Sequence, residues 1–374
     1  MLQELLLDIP LTIMATGALV GTAATLVGVF LVLRGNSMLS DAISHSIVFG
    51  IVLVWLLTRQ QSGPVQILGA ALAGVLTVFL TELLARTRRV KDDAAIGLVF
   101  PALFSTGVLL LNVYARDIHL DVHAVLLGEI GFVWLDTVTV ASLDVPRALV
   151  WMAAAAAANG AFVVLFFKEL KLSTFDRDLA AALGFAPAAL SYALLTLTST
   201  TAVAAFDAVG AVLFIAFVIV PPSAAYLLTD RLTHMLAIGI AISVASSVLG
   251  YHAAVLLDVS IGGMMAVVTG LFLLAAFLFG PRYGVVARSW KLLGQRRVNE
   301  SRLLALYLHD RGGGPQGAVA AALRDRLRWD AGKTAAVIRR SRRLGLVAPE
   351  GEVLRLTEQG RRAALELLEP WNAG

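Results

Sequence analysis

No cysteine occurs among the 374 residues of the sequence. Disulfide bonds and thiolate ligands are therefore excluded within this chain, and a bound metal ion would have to use oxygen and nitrogen ligands. A basic segment of the kind that opens a secretory signal is lacking as well, because Glu4 and Asp8 occupy the first residues. We therefore expect no secretory signal.

Charged residues are also scarce, at 15% of the chain, whereas 58% is hydrophobic and the mean hydropathy is +0.82. Ordinary soluble domains are about 45–50% apolar. Apolar segments of about 20 residues, long enough to cross a bilayer, recur along the sequence. We predict an all-α polytopic membrane protein with nine transmembrane helices, or eight if the two segments beside Asp207 form one span. The predicted spans are residues 9–33, 38–58, 65–86, 94–114, 147–168, 187–203, 208–228, 233–256 and 262–281.

The distribution of charge indicates an orientation in the membrane. Residues 282–374 contain 18 Lys and Arg against 9 Asp and Glu, whereas residues 1–281 contain 12 against 17. Because basic segments stay on the cytoplasmic side, we expect the C-terminal segment inside a bacterial plasma membrane. The acidic loop 117–144 then lies outside, and nine spans put the N-terminus outside as well.

The composition changes after the last predicted span. We predict a transmembrane domain at residues 1–285, a linker at 286–298 and a small cytoplasmic α/β domain at 299–374. Two helical patterns and a basic helix precede two short strands and a last helix, which is the layout of a winged helix. The basic helix suits DNA phosphates, a protein surface or anionic lipid headgroups. Attachment to many spans argues against DNA, which we do not expect as a partner.

The most informative motif is a polar segment, residues 40–46, that opens the second predicted span. Asp41 and His45 lie one helical turn apart on the same face. Ionisable groups at bilayer depth are costly unless they face a cavity, a partner or an ion, and a carboxylate with an imidazole suits divalent transition metals. We predict that Asp41 and His45 bind a metal ion in transit. The competing interpretation is a hydrogen-bonded pair that fixes the packing of two helices.

The outer loop holds a second group of candidate ligands. Asp121 and His123 alternate with apolar residues, and Asp117, His119 and Glu129 lie close by in the sequence. Together these side chains would attract cations to the outer mouth of a pathway. Any one of them alone is more typical of a solvated acidic surface.

Three further candidates lie near the ends of predicted spans: Asp207, His252 and Asp258. A helix cap or an interface hydrogen bond explains such positions more simply than metal ligation. Asp207 is the strongest of the three, because it opens a helix that carries Gly210 and could approach the pathway closely.

Small residues and prolines predict details of helix packing. Gly17 and Gly21 form a small-xxx-small pair, which is typical of close contact between membrane helices. Pro221 and Pro222 interrupt an apolar span, so we predict that this helix is kinked or broken there.

Residues 171–184 have the pattern of a short amphipathic helix between two spans on the cytoplasmic side. Ser173 or Thr174 would cap its start, and Gly184 would stop it. A soluble partner could contact such a helix, and a plain connecting loop is the competing interpretation.

The triplet Gly332-Lys333-Thr334 resembles the end of a phosphate-binding loop. The earlier glycine of that motif is replaced by Leu327, and no strand precedes the match. We therefore predict that this chain binds no nucleotide and that any ATP dependence comes from a partner.

Four segments carry a resemblance to a known family, the integral-membrane permeases of manganese, zinc and iron ABC importers. They extend over most of residues 10–285, and the set is more specific than any single piece. The four segments are Val32–Ser46, Val90–Gly97, Leu120–Ile130 and Phe206–Ala225.

The resemblance implies a homodimer with the pathway at its interface, two cytoplasmic ATPase subunits and an external solute-binding protein. It implies that Asp41 and His45 match the metal position in the membrane, and that no cofactor is bound permanently. It also implies that residues 175–184 are the coupling helix that docks on the ATPase. The expected contact residues there are Phe175, Asp176, Leu179, Ala180 and Gly184.

From this resemblance we expect a non-catalytic permease that imports Mn(II), with Zn(II) or Fe(II) as rival main substrates. Two competing hypotheses are a proton-coupled secondary metal transporter and a membrane-anchored winged-helix regulator. The C-terminal segment is similar to metal-dependent repressors of the iron/manganese type. Their metal ligands are not evident, because His309 is the single histidine of that segment.

Overall fold

The computed structural model of the chain describes residues 8–59, 64–114, 128, 130–140, 143–281, 283–310, 318–319, 327–350 and 353–372. The chain forms two compact units, Met1–Gly284 and Val285–Gly374. The first unit is a bundle of long apolar helices, and the second is a small mixed unit of helices and short strands.

The first unit confirms the prediction of a helical polytopic membrane protein. Within the described residues, eight segments are long and apolar enough to cross a membrane. The additional predicted span falls on the helix Pro64–Arg86, some of whose side chains lie outside the described residues, so the count of nine stays a prediction. The helices are α1 Ile9–Leu33, α2 Ser37–Thr58, α3 Pro64–Arg86, α4 Asp92–Tyr114, α5 Arg147–Leu165, α6 Phe167–Phe175, α7 Arg177–Ala182, α8 Pro187–Leu228, α9 Leu232–Leu257 and α10 Ile261–Phe279.

The most buried helix of this unit is α1, which packs against α5, α8 and α9. A Cβ atom at Gly21 would lie 2.7 Å from the Cβ of Ser243 in α9, and one at Gly17 would lie 3.0 Å from the Ser247 hydroxyl. The hydroxyls of Thr25 and Ser243 are hydrogen-bonded at 2.8 Å. The predicted close packing at Gly17 and Gly21 is confirmed. Small residues let the two backbones approach, which lipid-embedded helices need because no hydrophobic effect drives them together.

The helix α8 contains a break at Gly210, close to the boundary that the sequence predicted between the spans 187–203 and 208–228. Gly210 has φ 77° and ψ 168°, a conformation that residues with a side chain rarely adopt, and it lies near the boundary between the membrane-length segments Pro187–Phe206 and Ala208–Leu228. The helix continues through Pro221 and Pro222, so the predicted break is absent there, and the predicted kink stays a prediction. Pro222 has no backbone N–H and therefore cannot donate a hydrogen bond to the Val218 carbonyl oxygen one turn earlier. This oxygen faces Gly28 of α1.

A short hairpin lies between α4 and α5, where the sequence predicted an acidic loop. Strands β1 Thr137–Val140 and β2 Leu143–Pro146 pair in antiparallel fashion, with Val138 opposite Val145. A 3-10 turn, Ile130–Phe132, precedes them, and Ile130 is buried. The hairpin was missed because its strands are only four residues long, too short for alternation to be decisive.

The second unit contains three described helices around a three-stranded antiparallel sheet of order β3-β5-β4. Its core contains Leu304, Leu308, Val337 and Leu354. The segment predicted as a linker, 286–298, is part of the first helix. The second predicted helical pattern, near residues 316–327, is wrong at residues 318–319, which form a strand, and most of its other residues lie outside the described residues. The elements are α11 Val285–Asp310, β3 Ala318–Val319, α12 Ala331–Arg343, β4 Val347–Glu350, β5 Val353–Leu356 and α13 Glu358–Asn372.

The contact at Gly28 predicts a strong effect of a single methyl group. A Cβ atom there would lie 2.1 Å from the Val218 carbonyl oxygen, which belongs to the backbone and cannot move alone. We expect Gly28→Ala to lower the free energy of unfolding by about 1–3 kcal/mol, the usual cost of overpacking, measured by thermal unfolding in detergent. Gly270→Ala is the control, because nothing lies within 4 Å of its added Cβ. Equal stability of the two variants would contradict this packing.

Candidate metal centre

The two leading candidate ligands lie near the start of α2. Gly35, with φ 72°, turns the chain after α1, and α2 begins at Ser37. Asp41 and His45 therefore lie in the second and third turns, and the distance from His45 Nε2 to Asp41 Oδ1 is 3.4 Å. The side chains are 36% and 34% exposed, respectively. This exposure leaves carboxylate and imidazole atoms accessible at one point on the helix surface.

Two aromatic rings of α4 fix the orientation of His45. The Phe100 ring is stacked on the imidazole at a centroid distance of 5.7 Å, and the Phe104 ring meets it edge-on at 6.0 Å. These two neighbours of the imidazole ring in α4 are phenyl groups, which position it without providing a hydrogen bond.

Among the described residues, no further predicted ligand joins this pair. Asp121 and His123, together with Asp117, His119 and Glu129, lie outside the described residues, as does the side chain of Asp207. The ring of His252 is exposed and lies edge-on to Tyr251 at 5.4 Å. Asp258 is the C-cap of α9 and has φ 53°, which agrees with the cap interpretation. Within the described residues, no group of three or more His, Asp or Glu side chains could hold a metal ion.

The break in α8 is in contact with Gly128, a feature that the sequence analysis missed. Gly128 has φ 62°, and a Cβ atom there would lie 2.1 Å from the backbone nitrogen of Gly210. The two glycines belong to two of the segments that carried the family resemblance, Leu120–Ile130 and Phe206–Ala225. That each family motif contains a glycine was the available sign in the sequence. A contact between two distant segments, however, cannot be predicted from one sequence.

The predicted coupling segment forms two helices, α6 and α7. The predicted cap at Ser173 or Thr174 is wrong, because the Asp176 carboxylate caps α7 by accepting a hydrogen bond from the Leu179 backbone nitrogen at 2.9 Å. Gly184, with φ 86°, follows the end of α7 as predicted.

The exposed part of this segment is apolar. Phe175, Leu179 and Leu183 are 63%, 46% and 61% exposed, whereas Ala180 is fully buried. Of the expected contact residues, Phe175 and Leu179 are therefore available to another protein, Asp176 is engaged as the cap of α7, and Ala180 packs inside the unit.

A bundle of membrane-length helices is the architecture of a multi-pass membrane protein. Residues 8–280 match the ABC 3 transport family, and the chain belongs to that family. It is 46% identical to the manganese transport system membrane protein MntD of Bacillus subtilis over 76% of this chain and 97% of the relative. It is 43% identical to the zinc transport system membrane protein TroD of Treponema pallidum over 91% of this chain and 94% of the relative.

Among solved structures, PsaBC from Streptococcus pneumoniae in complex with Fab matches with a TM-score of 0.60 and 27% identity, covering 72% of this chain and 91% of that one. The chain is the permease subunit of a metal ABC importer and a multi-pass protein of the inner membrane. Such permeases are non-catalytic, and the ATPase is a separate partner. The hypothesis of a proton-coupled secondary transporter gives way to this assignment.

The contact between Gly128 and the α8 break predicts a position-specific effect of an added methyl group. We expect Gly128→Ala to be destabilised and to take up less metal, because it combines a strained φ with a collision against the backbone at Val209 and Gly210. Thermal unfolding and cellular metal content measure the two effects. Gly131→Ala is the matched control, since its Cβ would meet a single side-chain atom at 3.8 Å. If Gly128→Ala behaves like this control, the contact is absent.

Proposed function

We propose that this permease imports Mn(II) and that Asp41 and His45 hold the ion during its passage. The observation that carries the proposal is the 3.4 Å approach of the two side chains on one face of α2. A carboxylate and an imidazole in an apolar helix cost free energy unless a counter-charge or cavity compensates them. A divalent cation in transit provides that compensation intermittently, which suits a site that must also release the ion.

The pair alone cannot complete the coordination shell of a divalent metal. Zinc takes four ligands in most protein sites, and octahedral oxygen-rich shells suit manganese. We propose that a second copy of the chain provides a second Asp41 and His45, so that the site forms at the interface of a homodimer. The partial exposure of both side chains in one chain supports this arrangement.

Manganese is proposed as the main substrate because the site has no thiolate and the relative MntD is named for manganese transport.

Zinc is the second candidate, and a specific observation favours it. The match to TroD covers 91% of the chain and must therefore include part of the second unit, which begins at residue 285. A relative named for zinc transport thus shares more of this chain than the manganese relative does. Iron is the third candidate.

The proposed assembly has two ATPase subunits on the cytoplasmic side and a solute-binding protein outside, with the N-terminus outside and the second unit in the cytoplasm. The exposed side chains Phe175 and Leu179 would contact the ATPase and transmit its motion to α8, against which α6 and α7 pack. Gly184 would limit the length of the docking helix.

We further propose that residues 299–374 form a winged helix, with β4 and β5 as the wing. The order of α11, β3, α12, β4, β5 and α13 supports this assignment. Part of the basic charge of α12 is engaged internally, since Lys333 Nζ lies 3.0 Å from a Glu300 carboxylate oxygen. We propose a role in contacts with protein or lipid, and we do not propose DNA as a partner.

Removal of either ligand tests the transport site. The variants Asp41→Asn and His45→Gln keep the approximate size of each side chain. We expect each of them to reduce metal uptake by about tenfold or more, which corresponds to about 1.4 kcal/mol of lost binding free energy. Assembly with the ATPase should persist. Manganese, zinc and iron contents of cells that lack the native permease and express each variant measure the effect. Asp258→Asn and His234→Gln are matched controls away from the site and should retain uptake. Normal uptake by either ligand variant would refute the site.

The proposed contact between the exposed residues of α6 and α7 and the ATPase predicts a different defect, a loss of ATPase binding. We expect Leu179→Glu to weaken capture of the ATPase subunit, because a charge would replace an exposed apolar contact, while metal binding by the permease persists. Co-purification from membranes measures the capture. Leu135→Glu alters a leucine of similar exposure in the segment before the β1–β2 hairpin and should leave capture intact. If both variants retain the ATPase, Leu179 is not part of the docking surface.

A further inference from the structure

A cluster of polar side chains surrounds Arg34, the residue that follows α1. Its guanidinium donates three hydrogen bonds to hydroxyl groups, to Thr174 at 3.1 Å, Ser191 at 2.8 Å and Ser173 at 2.9 Å. These contacts fix the end of α1 to α6 and α8. A guanidinium has five N–H groups, so two remain after these bonds. Its three partners are neutral, which leaves its positive charge uncompensated by them.

Arg34 lines a cavity of about 520 Å³, a volume in the range of small-molecule sites. Three arginines and one glutamate carry the charge of its wall. Arg86 is paired with Glu82 at 2.8 Å. Among the described residues, no carboxylate lies within ion-pair distance of Arg34 or Arg177. The cavity therefore has a net positive charge, which repels a metal cation and attracts an anion.

The electrostatic effect of this arrangement is visible at Arg34. Burial, and then the nearby charge of Arg177, lower the pKa of Arg34 to about 10. The group stays protonated at neutral pH but in an environment that disfavours its charge. An anion in the cavity would remove that penalty, because an opposite charge favours the charged form of arginine.

A second feature of the wall also points to a ligand. Thr81 lines the cavity and is only 7% exposed, and its buried hydroxyl oxygen has no hydrogen-bond partner among the described residues. Buried polar groups in proteins are nearly always paired with protein or with bound molecules. An oxygen-rich anion in the cavity would accept a hydrogen bond from this hydroxyl.

An exposed apolar stripe on α3 leads to the same cavity. Leu72, Leu76, Phe79 and Leu83 follow one another at helical spacing and are 67%, 36%, 51% and 54% exposed. Arg86 continues the same face one turn later, at the rim of the cavity. The surface is therefore apolar along the helix and positively charged at its end. A phospholipid has the complementary distribution, with acyl chains beside an anionic headgroup.

We propose that this cavity binds the phosphate of an anionic phospholipid headgroup, with Arg34, Arg177 and Thr81 as donors and the acyl chains along α3. This site is separate from the metal pair and is independent of the transported ion. Free inorganic phosphate shares the headgroup chemistry but has no acyl chain to occupy the α3 stripe, so the two sources can be distinguished.

The test compares the purified full chain in nanodiscs of phosphatidylcholine alone and of phosphatidylcholine with phosphatidylglycerol. We expect the anionic lipid to raise the melting temperature by roughly 2–4 °C and native mass spectrometry to detect retained phosphatidylglycerol. Arg177→Gln should lose most of both effects. This variant is preferred to Arg34→Gln, which would also break the three hydrogen bonds that join α1 to α6 and α8.

Arg231→Gln is the matched control, because Arg231 is another exposed arginine but does not line the cavity. It should keep the stabilisation and the retained lipid. An equal loss in Arg231→Gln would mean that bulk charge attraction explains the effect, and the proposal would be wrong. The same stabilisation by inorganic phosphate in neutral nanodiscs would identify a free anion as the ligand, and would also overturn the lipid assignment. All these readouts are independent of metal uptake.

Discussion

The free-energy cost of an ionisable pair in an apolar helix is the constraint on which the functional account depends. Asp41 and His45 occupy adjacent turns of α2 and stay partly exposed, so neither the helix itself nor the core of one chain compensates them fully. The phenyl rings of Phe100 and Phe104 hold the imidazole in place from α4. The two side chains are thus held next to each other and partly exposed, which supports the proposed transient binding of an ion.

Close backbone packing provides the scaffold for this site. Gly17, Gly21 and Gly28 allow α1 to approach α8 and α9 at distances that a methyl group would prevent. Gly210 interrupts α8 and meets Gly128 from the segment before the hairpin. The unit therefore combines a tightly packed centre with one helix whose direction changes at a glycine. Such a break is a natural place for relative movement of two half-helices in a transporter.

Hydropathy alone predicted the long helices of the first unit, because lipid requires each span to satisfy its backbone internally and to present apolar side chains. The Asp41–His45 pair was predictable for a similar reason, since helical spacing fixes the proximity of residues four apart. The dihedral angles of Gly210, the Asp176 cap and the three hydroxyl partners of Arg34 were not predictable. Each depends on contacts or dihedral angles that several local patterns fit equally well.

The stoichiometry of metal binding tests the central claim most directly. Equilibrium dialysis of the purified importer against Mn(II), with the metal counted by mass spectrometry, measures ions bound per permease chain. The account predicts one ion for every two chains, and loss of that ion when His45 is replaced by glutamine. One ion per chain, or a site that survives the replacement of His45, would contradict a site shared between two copies.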